Sequence, residues 1–298
     1  YSAYYSRKGT SYCPRKARMI MGESLLQYDF ILRGVLGCLF AGITAGIAGT
    51  YIVSKRIVFL SGGITHASFG GIGIGYFAGI NPVAGAAAFG ILSGVGIEYL
   101  SGKQKIREDS AIGILWAFGM AIGIIFIYLT PGYAPNLMSF LFGSILLVTK
   151  TDLISLGILS AVLIAYFSIF YRTILYISFD ENYARTYSRH VDFFKYLTTS
   201  LIALTIVLNI RMAGVVLVLS LLTVPPNIAM LFTKDYSSIM KGAVISGFVG
   251  LSIGYVFSWF TGIPAGAAIV FALVILWLFA KIVTSLVLRK HKKENFKN

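Results

Sequence analysis

Long apolar runs, broken by short polar or turn-forming intervals, repeat along most of this 298-residue chain. They lie at about 30–53, 57–80, 83–100, 111–129, 153–171, 196–210, 213–233, 242–260 and 265–288. A run of about 20 apolar residues crosses a bilayer as one helix. The breaks carry charge or turn chemistry: "SKR" at 54–56, "NP" at 81–82, "SGKQKIRED" at 101–109, "TPGYAPN" at 130–136, "NIRMAG" at 209–214, "TKDYSS" at 233–238 and "TGIPAG" at 261–266. Residues 139–149 are apolar but short, which predicts a re-entrant or interfacial helix. The pattern predicts an all-α, polytopic transmembrane helix bundle with nine spans, or eight if the first run does not cross fully.

Composition agrees. The chain is 57% hydrophobic and 12% charged, with mean hydropathy +0.82, whereas a soluble domain carries about 25% charged residues. The net charge of +14 would suggest nucleic acid in a soluble protein, but here the basic residues sit in short loops. That is the distribution of cytoplasmic loops under the positive-inside rule, so nucleic acid is not an expected partner and membrane lipid is. Placing loops 54–56, 101–109, 172–195 and 233–241 inside leaves the alternate loops nearly uncharged. A multi-pass protein of the cytoplasmic membrane follows, with the basic tail 289–298 in the cytoplasm and the transmembrane domain at 21–288. Residues 1–20 hold five basic residues and no acid, on what nine spans would make the outer side. They are expected to be a non-native or disordered extension, with a lipid-headgroup-binding arm as the alternative.

The 32 glycines predict close helix packing, because small residues let helices approach in lipid; Gly71, Gly75 and Gly79 are spaced for such a contact. Cys13 and Cys38 have no metal-ligand spacing. There is no Walker A pattern, no H-E-x-x-H and no G-x-S-x-G. The predicted outer loops are short. If the bundle moves something uphill, its energy and its ligand capture must come from other chains. The longest polar interval, 172–195, is either a solvated connector or a short amphipathic helix on the inner face that docks a partner.

His66 is one of three histidines. It lies ten residues beyond Arg56 at the inner edge, about 15 Å along a helix, near the bilayer midplane. Its neighbours four residues away on either side are Gly62 and Gly70, so its face is stripped of side chains. Ionisable groups at that depth usually face a cavity or the bundle interior, and neutral imidazole is a good ligand for borderline divalent metals. A buried histidine hydrogen-bonded to a neighbouring helix fits the same residues.

"YIVSKRIVFLSGGITHASFGGIGIGYF" resembles the second-span signature of the permease subunits of zinc, manganese and iron ABC importers. "REDSAIGILWAFGMAIGIIF", "SFLFGSILLV", "MAGVVLVLSLLTVPPNIAMLF" and "GYVFSWFTGIPAGAAIVF" resemble further family motifs, in the family's order. The resemblance covers about residues 25–288. It implies an ABC-importer-type permease that binds no tight cofactor and is not itself an enzyme. It implies a homodimer working with two cytoplasmic ATP-binding subunits, which use the ATP, and an extracytoplasmic metal-binding protein. The cargo implied is a divalent metal ion; a larger metal chelate or a corrinoid, or a stand-alone secondary carrier, are the alternatives. "FDENYA" matches the docking loop, which assigns Asp180, Glu181 and Ala184 to ATPase docking. His66 is the path residue implied, with Thr65, Ser68, Ser220, Thr223 and Asn227 as candidate partners. Pro225 and Pro226 are expected to break their helix and free carbonyls. Family members often carry an aspartate four residues before this histidine; here that position is Gly62.

Overall fold

A chain without water around it must satisfy its backbone hydrogen bonds within each segment, which leaves helices as the natural outcome for these apolar runs. The computed structural model describes the backbone of residues 14–102, 104, 106–131 and 148–294, with side chains described between 31 and 286 except at 213 and 216. The helices are α1 (Pro14–Ser54), α2 (Val58–Phe77), α3 (Pro82–Gly102), α4 (Glu108–Leu129), α5 (Lys150–Ile169), α6 (Tyr171–Phe179), α7 (Glu181–Tyr187), α8 (Val191–Met230), α9 (Tyr236–Thr261) and α10 (Ala265–Glu294). No strand occurs among the described residues. The starts follow local chemistry. Pro82 opens α3, where its missing N–H costs nothing. Thr149 and Asp152 form a reciprocal capping box on α5, and Asp235 caps α9 by accepting the Ser238 N–H at 2.8 Å.

Among the described residues, seven helical segments are long and apolar enough to cross a membrane: 31–54, 82–102, 108–129, 150–169, 191–212, 236–261 and 265–286. α2 has 20 residues but is diluted by glycine; it packs along α3 and α4, and with it the count reaches eight. The ninth expected run, 213–233, is the correction. It holds only the apolar helix Leu217–Met230, about 21 Å long against about 30 Å of hydrocarbon. Of the short run at 139–149, residues 139–147 lie outside the described residues. α1 begins at Pro14, inside the segment 1–20. Residues 1–13, with Cys13, lie outside the description.

α8 is the axis of the bundle. It contacts α1, α2, α3, α9 and α10, and its Ile202, Ile206, Leu217 and Leu221 are fully buried in the same apolar core as Tyr51 and Ile52 of α1. Its break is not at the prolines. The helix runs through Pro225 and Pro226, and the non-helical residue is Gly214, at φ 78°, ψ 164°. The prolines are tolerated because neighbours cover what they expose: the Leu222 carbonyl, which loses its donor to Pro226, faces the side-chain-free surface of Gly49. The Pro225 carbonyl accepts from Ser246 at 3.2 Å. Gly214 sits in backbone space that essentially only glycine occupies. Gly214→Ala is expected to cost about 1–3 kcal/mol, read as a lower melting temperature of the detergent-solubilised protein; an unchanged melt would refute that backbone angle.

α2, α3 and α4 form a close-packed trio. Gly71 meets the backbone of Gly85, and Gly75 meets Pro82. Gly79, expected as a third contact, lies beyond α2 in a left-handed turn (φ 67°) with open space around it. The two ends of the bundle match the expected alternation of loops. At one end Glu98, near the C-terminus of α3, pairs with Lys55 (3.2 Å) of the 54–56 turn and with Lys195 (2.9 Å) at the start of α8. At the other, Arg211 pairs with Asp152 at 3.0 Å.

Candidate functional site

His66 is half-buried on α2. Its imidazole stacks on the indole of Trp116 from α4, with ring centroids 4.1 Å apart and planes 8° from parallel. The same indole roofs Gly62: its Cζ3 is 3.7 Å from where a side chain at 62 would begin. Phe59, Gly62, His66 and Phe69 form one partly open strip along α2, whose other residues from 60 to 73 are buried. His66 thus lies on a face of the chain, backed by a ring, and not in a closed interior pocket. Thr65 and Ser68 point elsewhere. Both are buried, and their hydroxyls donate to the Ser61 carbonyl (2.6 Å) and the Ile64 carbonyl (2.7 Å) of their own helix.

On the second half of α8, Ser220, Thr223 and Asn227 share a face at helical spacing, Asn227 exposed and the other two half-buried. Thr223 donates to the Leu219 carbonyl (2.8 Å) and Asn227 to the Thr223 carbonyl (2.7 Å). They line a polar face on a different helix from His66. Among the described residues no three of His, Cys, Asp and Glu cluster as a metal site. Cys38 is buried and unpaired.

The 172–195 interval folds into two short helices. Asp180 caps α7, its carboxylate accepting the N–H groups of Asn182 (2.9 Å) and Tyr183 (3.1 Å). Ala184 is 1% exposed and seats α7 inward, while Asn182, Tyr183, Arg185 and Thr186 face out. Tyr176 of α6 packs edge-on against Tyr183 and Tyr187. Glu181 binds Arg185 at 2.9 Å and Lys195 at 3.1 Å. Burial alone would raise the Glu181 carboxyl, but Lys195 and Arg185 outweigh it and hold its pKa below the ordinary glutamate value. Arg185 also grips Asp192, with nitrogens 2.7 and 3.2 Å from its two oxygens.

Trp116 and the Glu98 ion pairs were not foreseen. Trp116 lies within the motif "REDSAIGILWAFGMAIGIIF" but is separated from His66 by 50 residues of sequence, and no spacing rule connects the two. Glu98 had a usable signal: an acid closing an apolar run, opposite runs that end or begin with lysine.

The profile of the ABC 3 transport family matches residues 27–284. Among curated relatives, a membrane protein of Synechocystis is 36% identical over 255 residues, covering 86% of this chain and 91% of that one. The manganese transport system membrane protein MntC of Listeria monocytogenes is 32% identical over 262 residues, covering 88% and 93%. Among solved structures, PsaBC from Streptococcus pneumoniae in complex with Fab superposes with a TM-score of 0.76 at 28% identity, over 89% of this chain and 94% of that one. A putative metal-chelate type ABC transporter in an inward-facing conformation shares the fold at a TM-score of 0.65 and 16% identity. With nearly all of its bundle matched by that profile, the chain belongs to the ABC 3 transport family.

Proposed function

We propose that this chain is the permease of an ATP-driven importer of a divalent metal ion. Two copies form the membrane unit, two cytoplasmic ATP-binding subunits drive it, and an extracytoplasmic metal-binding protein delivers the cargo. The observation that supports this reading most is the family match along residues 27–284, together with relatives named as manganese transport proteins. The end bearing α7 and the C-terminus of α10 is the cytoplasmic one, and Asp180, Glu181 and Ala184 shape the ATPase-docking helix.

His66 lies on the translocation path. An imidazole half-open on a bundle face is costly against lipid, so that face meets something other than lipid: the second copy, with the cargo passing between. Imidazole suits iron and zinc, whereas manganese favours carboxylate, carbonyl and water oxygens, so the metal's identity is set by the ligands that join the imidazole. Ser220, Thr223 and Asn227 supply a second polar face.

The test is uptake of labelled manganese and zinc into proteoliposomes. Import is expected only when this chain is assembled with its ATP-binding subunit and supplied with ATP and the binding protein; the chain alone hydrolyses no ATP. Metal moved by the chain alone on an ion gradient would overturn the reading. Competition by a metal chelate but not by free metal would favour a larger cargo.

A further inference from the structure

Glu98 carries a load that neither the path nor the docking surface accounts for. It is 7% exposed, and carboxylates are almost never that buried unless paired. One oxygen accepts from Lys55 and from Thr199, each at 3.2 Å; the other meets Lys195 at 2.9 Å. The side chains of Lys55 and Lys195 are 16% and 13% exposed. Lys195 then reaches Glu181 on α7 at 3.1 Å. Three helices and a turn are joined in series: α7 through Glu181, α8 through Lys195, α3 through Glu98, and the α1–α2 turn through Lys55.

The turn is itself constrained. Arg56, beside Lys55, holds a left-handed φ of 63°, and the Lys55 ammonium sits 5.7 Å above the Tyr51 ring. Two residues after Arg56, α2 begins and leads to His66. Buried charges in series form a poor stabilising device, since desolvation offsets most of the attraction. They make a stiff link, because breaking any one pair leaves an uncompensated charge.

We propose that Glu98 is a positioning residue that couples the docking helix to the helix carrying His66, through Glu181–Lys195–Glu98–Lys55. This rests on the permease reading above. A displacement of α7 by the ATP-binding subunit is carried through the lysine of α8 to Glu98, and from there to the turn that sets the tilt of α2.

The experiment uses the assembled permease–ATPase complex in proteoliposomes and reads manganese imported per ATP hydrolysed. Lys55→Met, which leaves Glu98 paired to Lys195, and Glu98→Gln are compared with wild type. Both are expected to retain ATPase binding and hydrolysis while import per ATP falls at least about tenfold, within the usual range of coupling between sites. Lys55→Arg, which keeps the charge, is expected to retain the wild-type ratio. The double variant is expected to be no worse than Glu98→Gln alone, since both cut one chain. An unchanged ratio in Lys55→Met overturns the proposal, even if Glu98→Gln does not assemble; so do losses that multiply in the double variant. A wild-type complex that assembles but imports nothing overturns the permease reading itself, and the relay with it, whereas normal wild-type import with a normal Lys55→Met ratio removes the relay alone.

Discussion

Gly71→Val is expected to remove the folded protein from the membrane fraction. A side chain at 71 falls on the backbone of Gly85 and Ala86, and one at 85 falls on the Gly71 carbonyl. Neither obstacle is a flexible side chain that could swing aside, so α2 and α3 must separate. Overpacking a tight core costs about 1–3 kcal/mol and occasionally more, and a backbone-to-backbone collision belongs at the upper end. Separating the pair also disturbs α4, because Gly119 abuts Ala67, and Gly123 abuts Phe69. Gly113→Ala is the control: it has open space, and alanine is favoured over glycine in a helix by about 1 kcal/mol. The measurement is the yield of monodisperse protein and its melting temperature in detergent. A Gly71→Val protein that elutes and melts like wild type would mean that the helices do not approach this closely.

His66→Ala is expected to leave the fold intact and abolish most metal uptake. The side chain is half-buried, with a ring contact to Trp116 and no hydrogen bond that the packing requires, so stability changes little. Cells lacking the permease and given wild type should recover metal accumulation; those given His66→Ala should fall short by at least about tenfold, as expected when a metal's immediate surroundings are disturbed. Trp116→Leu keeps the imidazole and removes its stacked partner, so its loss is smaller. Equal restoration by wild type and His66→Ala would take His66 out of the transport path.

The helical layout was legible because apolar runs and their basic borders are one-dimensional signals. α5, α9 and α10 could be read directly, and so could the two-ended arrangement of loops. The second half of α8 was misread in two ways. A run of apolar letters at 213–233 has the length of a span, but Gly214 uses part of it for a turn. The tandem proline looked like a break, yet Gly49 on a neighbouring helix leaves room for the Leu222 carbonyl that Pro226 deprives of its donor, a tertiary fact with no local signature. Thr65 and Ser68 illustrate the same limit. Their residue types suit a polar path, but one helical step of about 100° per residue separates a path-facing position from a packed one. The pairing of His66 with Trp116 depends on the relative rotation of two helices, which spacing along one chain does not encode.

The Asp152–Arg211 contact bears on how α8 can move. It tethers the first half of that helix at its far tip, three residues before the flexion point at Gly214. A rod held at one tip swings most at the other. From 191 to 212 the rod is about 33 Å long, so a tilt of about 5° about the tethered tip carries the other one through about 3 Å. That other tip bears Lys195, bonded to Glu98 and Glu181, so the swing is passed to both carboxylates. The geometry is that of a pendulum hung from the side opposite α7, with its widest arc where the lysine grips its two carboxylates.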